Sequence, residues 1–286
     1  MLHGVFTALV TPFSKNGDLD IGALKAIVQN QLESGIDGLV PIGTTAESPT
    51  LDDKEKELII QTVALLAKGK VPIIAGSGSN CTKSAIEATK KAKDAGADYT
   101  LQVAPYYNKP SEEGLYRHFI EVAEHGGLPV VLYNIPGRSA INMSVDLVLK
   151  LAKHPLIVAD KEACGSMGQI QDLLHKRPAD FAVLSGDDAL TLPMMVCGAQ
   201  GIISVASNMF PAEMVKMTHA AAAGDYKTAL EMYNWIYPFF VNQFIETNPV
   251  PVKTYMASKG MLEEVFRLPL VPLKAVNKEK LLATFK

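Results

Sequence analysis

Cysteine is scarce in this chain of 286 residues, and the three present, Cys81, Cys164 and Cys197, stand far apart with no C-x-x-C spacing. An odd, dispersed set argues against a disulfide framework and a structural zinc site alike. Six histidines occur without one H-x-x-x-H pair, so no catalytic metal is expected. Long apolar runs are missing as well. The N-terminal "MLHGVFTALVTPF" lacks a basic flank and a small-residue cleavage site, and Pro12 interrupts it well before the roughly 20 residues that span a bilayer. Basic clusters are absent: 27 Lys and Arg are scattered among 30 Asp and Glu, for a net charge of −3. Nucleic acid and anionic membranes are therefore not expected partners. A cytoplasmic protein acting on small molecules is.

What the chain does have is a large core, with 48% hydrophobic and 20% charged residues. Short β-rich runs recur: "GVFTALVTPF", "GLVPIGT", "VPIIAGSG", "YTLQVAPYY", "LPVVLYN", "LIVADKE", "FAVLSGD" and "GIISVAS". Each is followed by a segment of helical period, and the spacing is that of one βα unit. Eight such units close a (β/α)8 barrel, an α/β fold that commonly takes about 250 residues. "ALKAIVQNQLESG" and "AIEATKKAKDAG" carry apolar i, i+3, i+4 faces and end at glycine, as helix C-termini do. Residues 1–222 are read as the catalytic barrel. Residues 223–286, with no strand signal, are read as a helical appendage packed on it and used in assembly.

Barrel active sites lie where strands end. In "LIVADKEACG" that rule puts Lys161 at the end of a core strand, where an ammonium is costly unless paired or neutralised. Pairing with Asp160 or Glu162 is one reading, but strand neighbours point to opposite faces. The other is a lysine whose pKa falls from about 10.4 towards 7 or 8, leaving a free amine for Schiff-base chemistry. Other rim groups are Thr44 and Thr45 in "PIGTTAESPT", a turn that, with the helix N-terminus expected near Asp52, suits a carboxylate. Tyr106 and Tyr107 are adjacent and should face different ways. "VVLYNIPGRSA" sets a phenol, Tyr133, five residues before a guanidinium, Arg138: a proton shuttle and a carboxylate clamp, or ordinary rim residues.

Taken together, "GTTAES", "PYYNKP", "YNIPGRS", "KEACG", "LSGDD", "GIISVAS" and "NPVPVK" resemble, in order and over essentially the whole chain, the dihydrodipicolinate synthase family of pyruvate-dependent class I aldolases. The resemblance implies a lyase of lysine and diaminopimelate biosynthesis that condenses pyruvate with L-aspartate 4-semialdehyde to 4-hydroxy-tetrahydrodipicolinate. It needs no cofactor beyond a covalent imine between pyruvate and Lys161. Thr44, Tyr133 and Tyr107 would form a proton relay, Tyr107 reaching into a neighbouring subunit. Thr45 would hold the pyruvate carboxylate and Arg138 that of the semialdehyde, with Gly186 and Ile203 lining the pocket through backbone groups. A homotetramer built of two tight dimers is implied as well. Arg138 separates this family from sialic-acid and 2-keto-3-deoxy sugar-acid lyases, which share the lysine and tyrosine; a non-catalytic keto-acid-binding barrel is the remaining alternative. The chain departs from the family at Ala46, Ser139 and Cys164, the last read as a small pocket-wall residue or a thiol-sensitive one. An allosteric lysine pocket would comprise Ser48, Pro49, Asp53, Lys56, Asn80, Ser84 and Tyr106. Lysine-sensitive relatives carry glutamate in place of Ser84 and histidine in place of Lys56, so the pocket is expected to be degraded unless Asp53 supplies the missing carboxylate.

Overall fold

Each of the eight apolar runs contains one strand, shorter than the run that announced it. In the computed structural model, which describes residues 1–285, they are β1 (Gly4–Ala8), β2 (Gly38–Val40), β3 (Ile74–Ala75), β4 (Tyr99–Val103), β5 (Val130–Asn134), β6 (Ile157–Glu162), β7 (Ala182–Ser185) and β8 (Gly201–Ser204). They lie parallel in the order β2-β1-β8-β7-β6-β5-β4-β3. The two ends meet where Leu39 bridges Ile73 and where the Leu39 and Gly76 N–H groups donate to the Pro72 and Pro41 carbonyls, each at 3.1 Å. The architecture is the expected (β/α)8 barrel.

Helices α1 (Ile21–Glu33), α2 (Asp53–Ala67), α3 (Thr82–Asp94), α4 (Glu112–Gly126), α5 (Pro136–Ser139), α6 (Val145–Leu151), α7 (Met167–Lys176) and α8 (Thr191–Val196) fill the connections. Helix α9 (Pro211–Ala222) follows β8, and α10 (Tyr226–Asn242), α11 (Val250–Ser258) and α12 (Ala275–Leu282) form the C-terminal region. Helices α1 and α3 stop just before Gly35 and Gly96, whose φ values of 79° and 105° are cheap only for glycine. The N-terminus of α2 is satisfied by its own capping box, Asp52 accepting from the Glu55 N–H and Glu55 from the Asp52 N–H. The threonines form a short 3₁₀ turn of their own, 44–46, and a second one, 48–50, separates it from α2, so the helix N-terminus expected to help Thr44 and Thr45 hold an anion is already occupied.

Alternation divides the side chains of each strand. Phe6, Leu101, Val131, Leu184 and Ile203 pack inside the barrel; Val130, Leu132 and Val183 face the helices. A Cβ on Gly38 would fall inside the Phe6 ring, so glycine there makes room for an interior phenylalanine. Strand β6 breaks the alternation once. Val130 pairs with Ile157 but Val131 with Ala159, a bulge at Val158. Ile157 lies in the helix-facing cluster, whereas Val158 and Ala159 both pack on the interior one. An extra residue in a strand shifts the phase of everything after it. Its effect here is to put Lys161 on the inside and Asp160 and Glu162 outside.

Candidate active site

Register then places the chemistry. Tyr133 on β5 is paired with Lys161 on β6, which is paired with Leu184 on β7. The lysine Nζ stands 4.1 Å from the centre of the Tyr133 ring, and the two side chains are 5% and 4% exposed. Among the described residues no carboxylate lies within ion-pair distance of that amine, which removes the reading of Lys161 as a partner of Asp160 or Glu162. Burial brings its pKa down to about 7; the Arg138 charge adds to the fall and the Asp188 charge opposes it. Burial likewise pushes the Tyr133 phenol up to about 12, against the pull of Arg138 and of the Thr44 hydroxyl beside it. A half-neutral amine therefore faces a protonated phenol.

Gly186 is what allows Lys161 to lie there. A Cβ at Gly186 would come within 2.8 Å of Ala163 Cβ and 3.1 Å of Lys161 Cε, while its N–H donates to the Glu162 carbonyl at 2.8 Å. Lys161, Tyr133, Thr44, Thr45, Arg138 and Gly186 line one chamber of about 190 Å³ at the strand ends. It shares Thr44, Tyr133, Arg138 and Asn248 with a larger cavity of about 650 Å³. Arg138, exposed on the one-turn helix α5, donates through Nη2 to the Asn248 carbonyl at 3.1 Å.

Three expected residues lie elsewhere. Ile203 is buried with Tyr133 in the barrel interior and is not on the chamber wall. Tyr107 is 89% exposed, with a left-handed φ of 72°, and stands outside its own chain's chamber, whereas Tyr106 lines the larger cavity. Cys164 packs against the helix layer and not the chamber. Its N–H donates to Glu162 Oε1 at 2.7 Å, and burial, with Glu162 nearby, pushes the thiol up to about 12. A thiol held protonated is a poor nucleophile, so the thiol-sensitive reading does not fit.

The larger cavity gathers Ser48, Pro49, Asp53, Lys56, Ser84 and Tyr106. Asn80 is off its wall and donates instead to the Tyr106 carbonyl at 3.2 Å. The Asp53 carboxylate is held at 2.7 Å by Lys91, which lowers its pKa.

Sequence reasoning assigned no role to three further residues. Asp188 is fully buried, with Oδ1 accepting from the Ser204 hydroxyl and Oδ2 from the Val205 and Ala206 N–H groups at 3.2 Å and from Gln243 Nε2 at 2.9 Å. Asn248 donates through Nδ2 to Thr45 Oγ1 at 3.0 Å. Lys253, wholly buried, donates to Glu47 Oε1 at 2.5 Å and to the Val265 carbonyl at 2.8 Å. The last two come from the C-terminal region, so that region helps to build the site. "NPVPVK" carried the signal, since a lysine in an apolar helix needs a buried partner. Among the described residues no group of His, Cys, Asp or Glu stands where it could hold a metal ion, and no helix is long and apolar enough to cross a membrane.

The chain has relatives of known name and structure. A "4-hydroxy-tetrahydrodipicolinate synthase" of Chloroherpeton thalassium is 48% identical over 281 residues, covering 98% of this chain and 93% of that protein. The structure of the 4-hydroxy-tetrahydrodipicolinate synthase of Methylacidiphilum fumariolicum SolV superposes with a TM-score of 0.97 at 44% identity, over 99% of this chain and 95% of that one. A dihydrodipicolinate synthase of Acinetobacter baumannii, described as chloride-inhibited and complexed with pyruvate, gives 0.97 at 40% identity, over 99% and 98%. The model of the dihydrodipicolinate synthetase family matches residues 1–286, and with a buried strand-six lysine against a strand-five tyrosine on this barrel, the chain belongs to that family.

Proposed function

We propose that the protein condenses pyruvate with L-aspartate 4-semialdehyde to give 4-hydroxy-tetrahydrodipicolinate, a step of lysine and diaminopimelate biosynthesis. The observation that carries this reading is the Lys161 amine, buried, brought to a pKa of about 7 and set 4.1 Å from the Tyr133 ring. The neutral fraction of Nζ attacks C2 of pyruvate, and loss of one water leaves an imine. The protonated imine draws electrons from C3, whose methyl loses a proton to give an enamine. C3 then bonds to the aldehyde carbon, and the aldehyde oxygen takes up a proton to become the hydroxyl. Attack of the semialdehyde's own amine on C2 closes the ring and returns the lysine amine, so one water leaves overall and no cofactor is needed.

In this reading Tyr133 and Thr44 move protons at the chamber end of β5, and Thr45 receives the pyruvate carboxylate. Arg138 receives that of the semialdehyde. Tyr107 completes the relay of an adjacent subunit, in keeping with its exposure and left-handed backbone. The assembly proposed is a homotetramer of two tight dimers in the cytoplasm.

The test is borohydride reduction with pyruvate present, which should leave a covalent adduct on Lys161. Because the amine must be neutral to attack, the rate of imine formation should rise with pH through about 7 and level off above it. Lys161→Arg should fold and form none, since a guanidinium stays protonated. An adduct on another lysine would sink the mechanism, and product from a sugar acid but not from the semialdehyde would sink the substrate assignment.

A further inference from the structure

Asn248 stands where the two halves of the site meet. Its Nδ2 is committed to Thr45 Oγ1 at 3.0 Å and its backbone carbonyl to Arg138 Nη2 at 3.1 Å. The residue is only 5% exposed and lines both the chamber and the larger cavity. Its remaining polar atom, Oδ1, is buried without any hydrogen-bond partner in the protein. Buried acceptors are nearly always satisfied, so an unpartnered one on a residue that lines both cavities marks where a donor brought by a ligand would be taken up.

The missing donor can be identified by chemistry if the proposed function holds, and this inference rests on that reading. A substrate whose carboxylate sits on Arg138 carries its α-ammonium one carbon away, beside the residue whose carbonyl touches that guanidinium. The ammonium brings three donors and needs acceptors. We infer that Asn248 is a specificity residue for the second substrate: its Oδ1 accepts a hydrogen bond from the α-ammonium of the amino-acid semialdehyde. A neutral amide suits the position better than a carboxylate, because the pyruvate carboxylate is to lie on Thr45, to which Asn248 is bonded. An aspartate there would repel it.

The experiment compares aspartate semialdehyde with 4-oxobutanoate, the same molecule without its amine, the latter as an inhibition constant on pyruvate-loaded enzyme. Asn248→Ala should lower kcat/KM for the semialdehyde by about tenfold or more, within the range of a charge-assisted hydrogen bond. The inhibition constant for 4-oxobutanoate should move less than about threefold. Asn248→Asp, of the same shape, should keep the preference for the amine and raise KM for pyruvate. Borohydride trapping with pyruvate reports whether each variant is folded, and if Asn248→Ala is not, Asn248→Asp decides alone. Equal losses on the two ligands, no loss on either, or an aspartate variant that loses the amine preference would overturn the inference and leave the function standing. A wild-type enzyme that makes no product from pyruvate and the semialdehyde would overturn the function itself.

Discussion

The chemistry of the site is set by where each charge is allowed to keep its water. Lys161 has lost it, and its pKa falls to about 7; Arg138, on an exposed turn, keeps its water and can meet an anion with the donors not given to the Asn248 carbonyl. The division predicts separable effects. Arg138→Ala removes charge-assisted hydrogen bonds of about 1.5–3 kcal/mol each, so use of the semialdehyde should drop roughly ten- to a hundredfold or more. Imine formation with pyruvate, made on the other side of Asn248, should survive in a borohydride assay. If both steps fell together, Arg138 would not be the second-substrate clamp. Lys161 was legible in the sequence because it is a polar group at the end of an apolar run, where a reason is required; Arg138, on a rim loop, was legible through the family resemblance. Asp188 and Asn248 were not, since an aspartate in "LSGDD" and an asparagine before proline are ordinary turn residues. Only the fold shows that both are buried.

Among the elements, the decisive ones are a single bulge and a segment outside the barrel. The spacing of strands and helices could be read from hydrophobic period, but the bulge at Val158 could not, because "LIVA" is apolar on both faces and carries no alternation to interrupt. Without it Lys161 would share the face of Ile157 and point into the helix layer. The C-terminal segment acts on the opposite side. Lys253 from α11 holds Glu47, two residues beyond Thr45 and in a left-handed backbone with φ 55°. The Arg267 N–H donates to the other Glu47 oxygen at 3.1 Å, and its guanidinium stacks 4.3 Å from the Phe13 ring. Both partners of the Lys253–Glu47 pair have fully buried side chains. Lys253→Met should therefore leave an uncompensated carboxylate and destabilise the fold by about 3–5 kcal/mol, whereas adding Glu47→Gln should recover most of the loss. Denaturant midpoints of the two single variants and the double one measure this. If Lys253→Met alone were neutral, the pair would not be what fixes the threonine turn.

At the scale of the whole molecule, the question is whether the larger cavity still answers to the product of the proposed pathway. A lysine effector needs a desolvated carboxylate for its ammonium, and losing one partner of such a pair costs about 2–5 kcal/mol. Ser84 supplies no charge. Asp53, the one residue the sequence left open as a replacement, is engaged by Lys91 at 2.7 Å, with side chains 73% and 63% exposed. Glu87, one turn along α3 from Ser84, does line the cavity, a placement the sequence pattern did not reveal. Its side chain is 58% exposed and lies 3.9 Å from Lys83, and pairs so exposed are worth about 0–1 kcal/mol. Lys56 and Lys91 on the same wall add two cations that repel the effector's ammonium while competing for the same carboxylates. Free lysine should accordingly inhibit weakly or not at all, with half-inhibition above about one millimolar, an affinity of roughly 4 kcal/mol or less. A titration at subsaturating pyruvate decides it. Half-inhibition well below that concentration would mean that Glu87, or a carboxylate brought by an adjoining subunit, does what Ser84 does not.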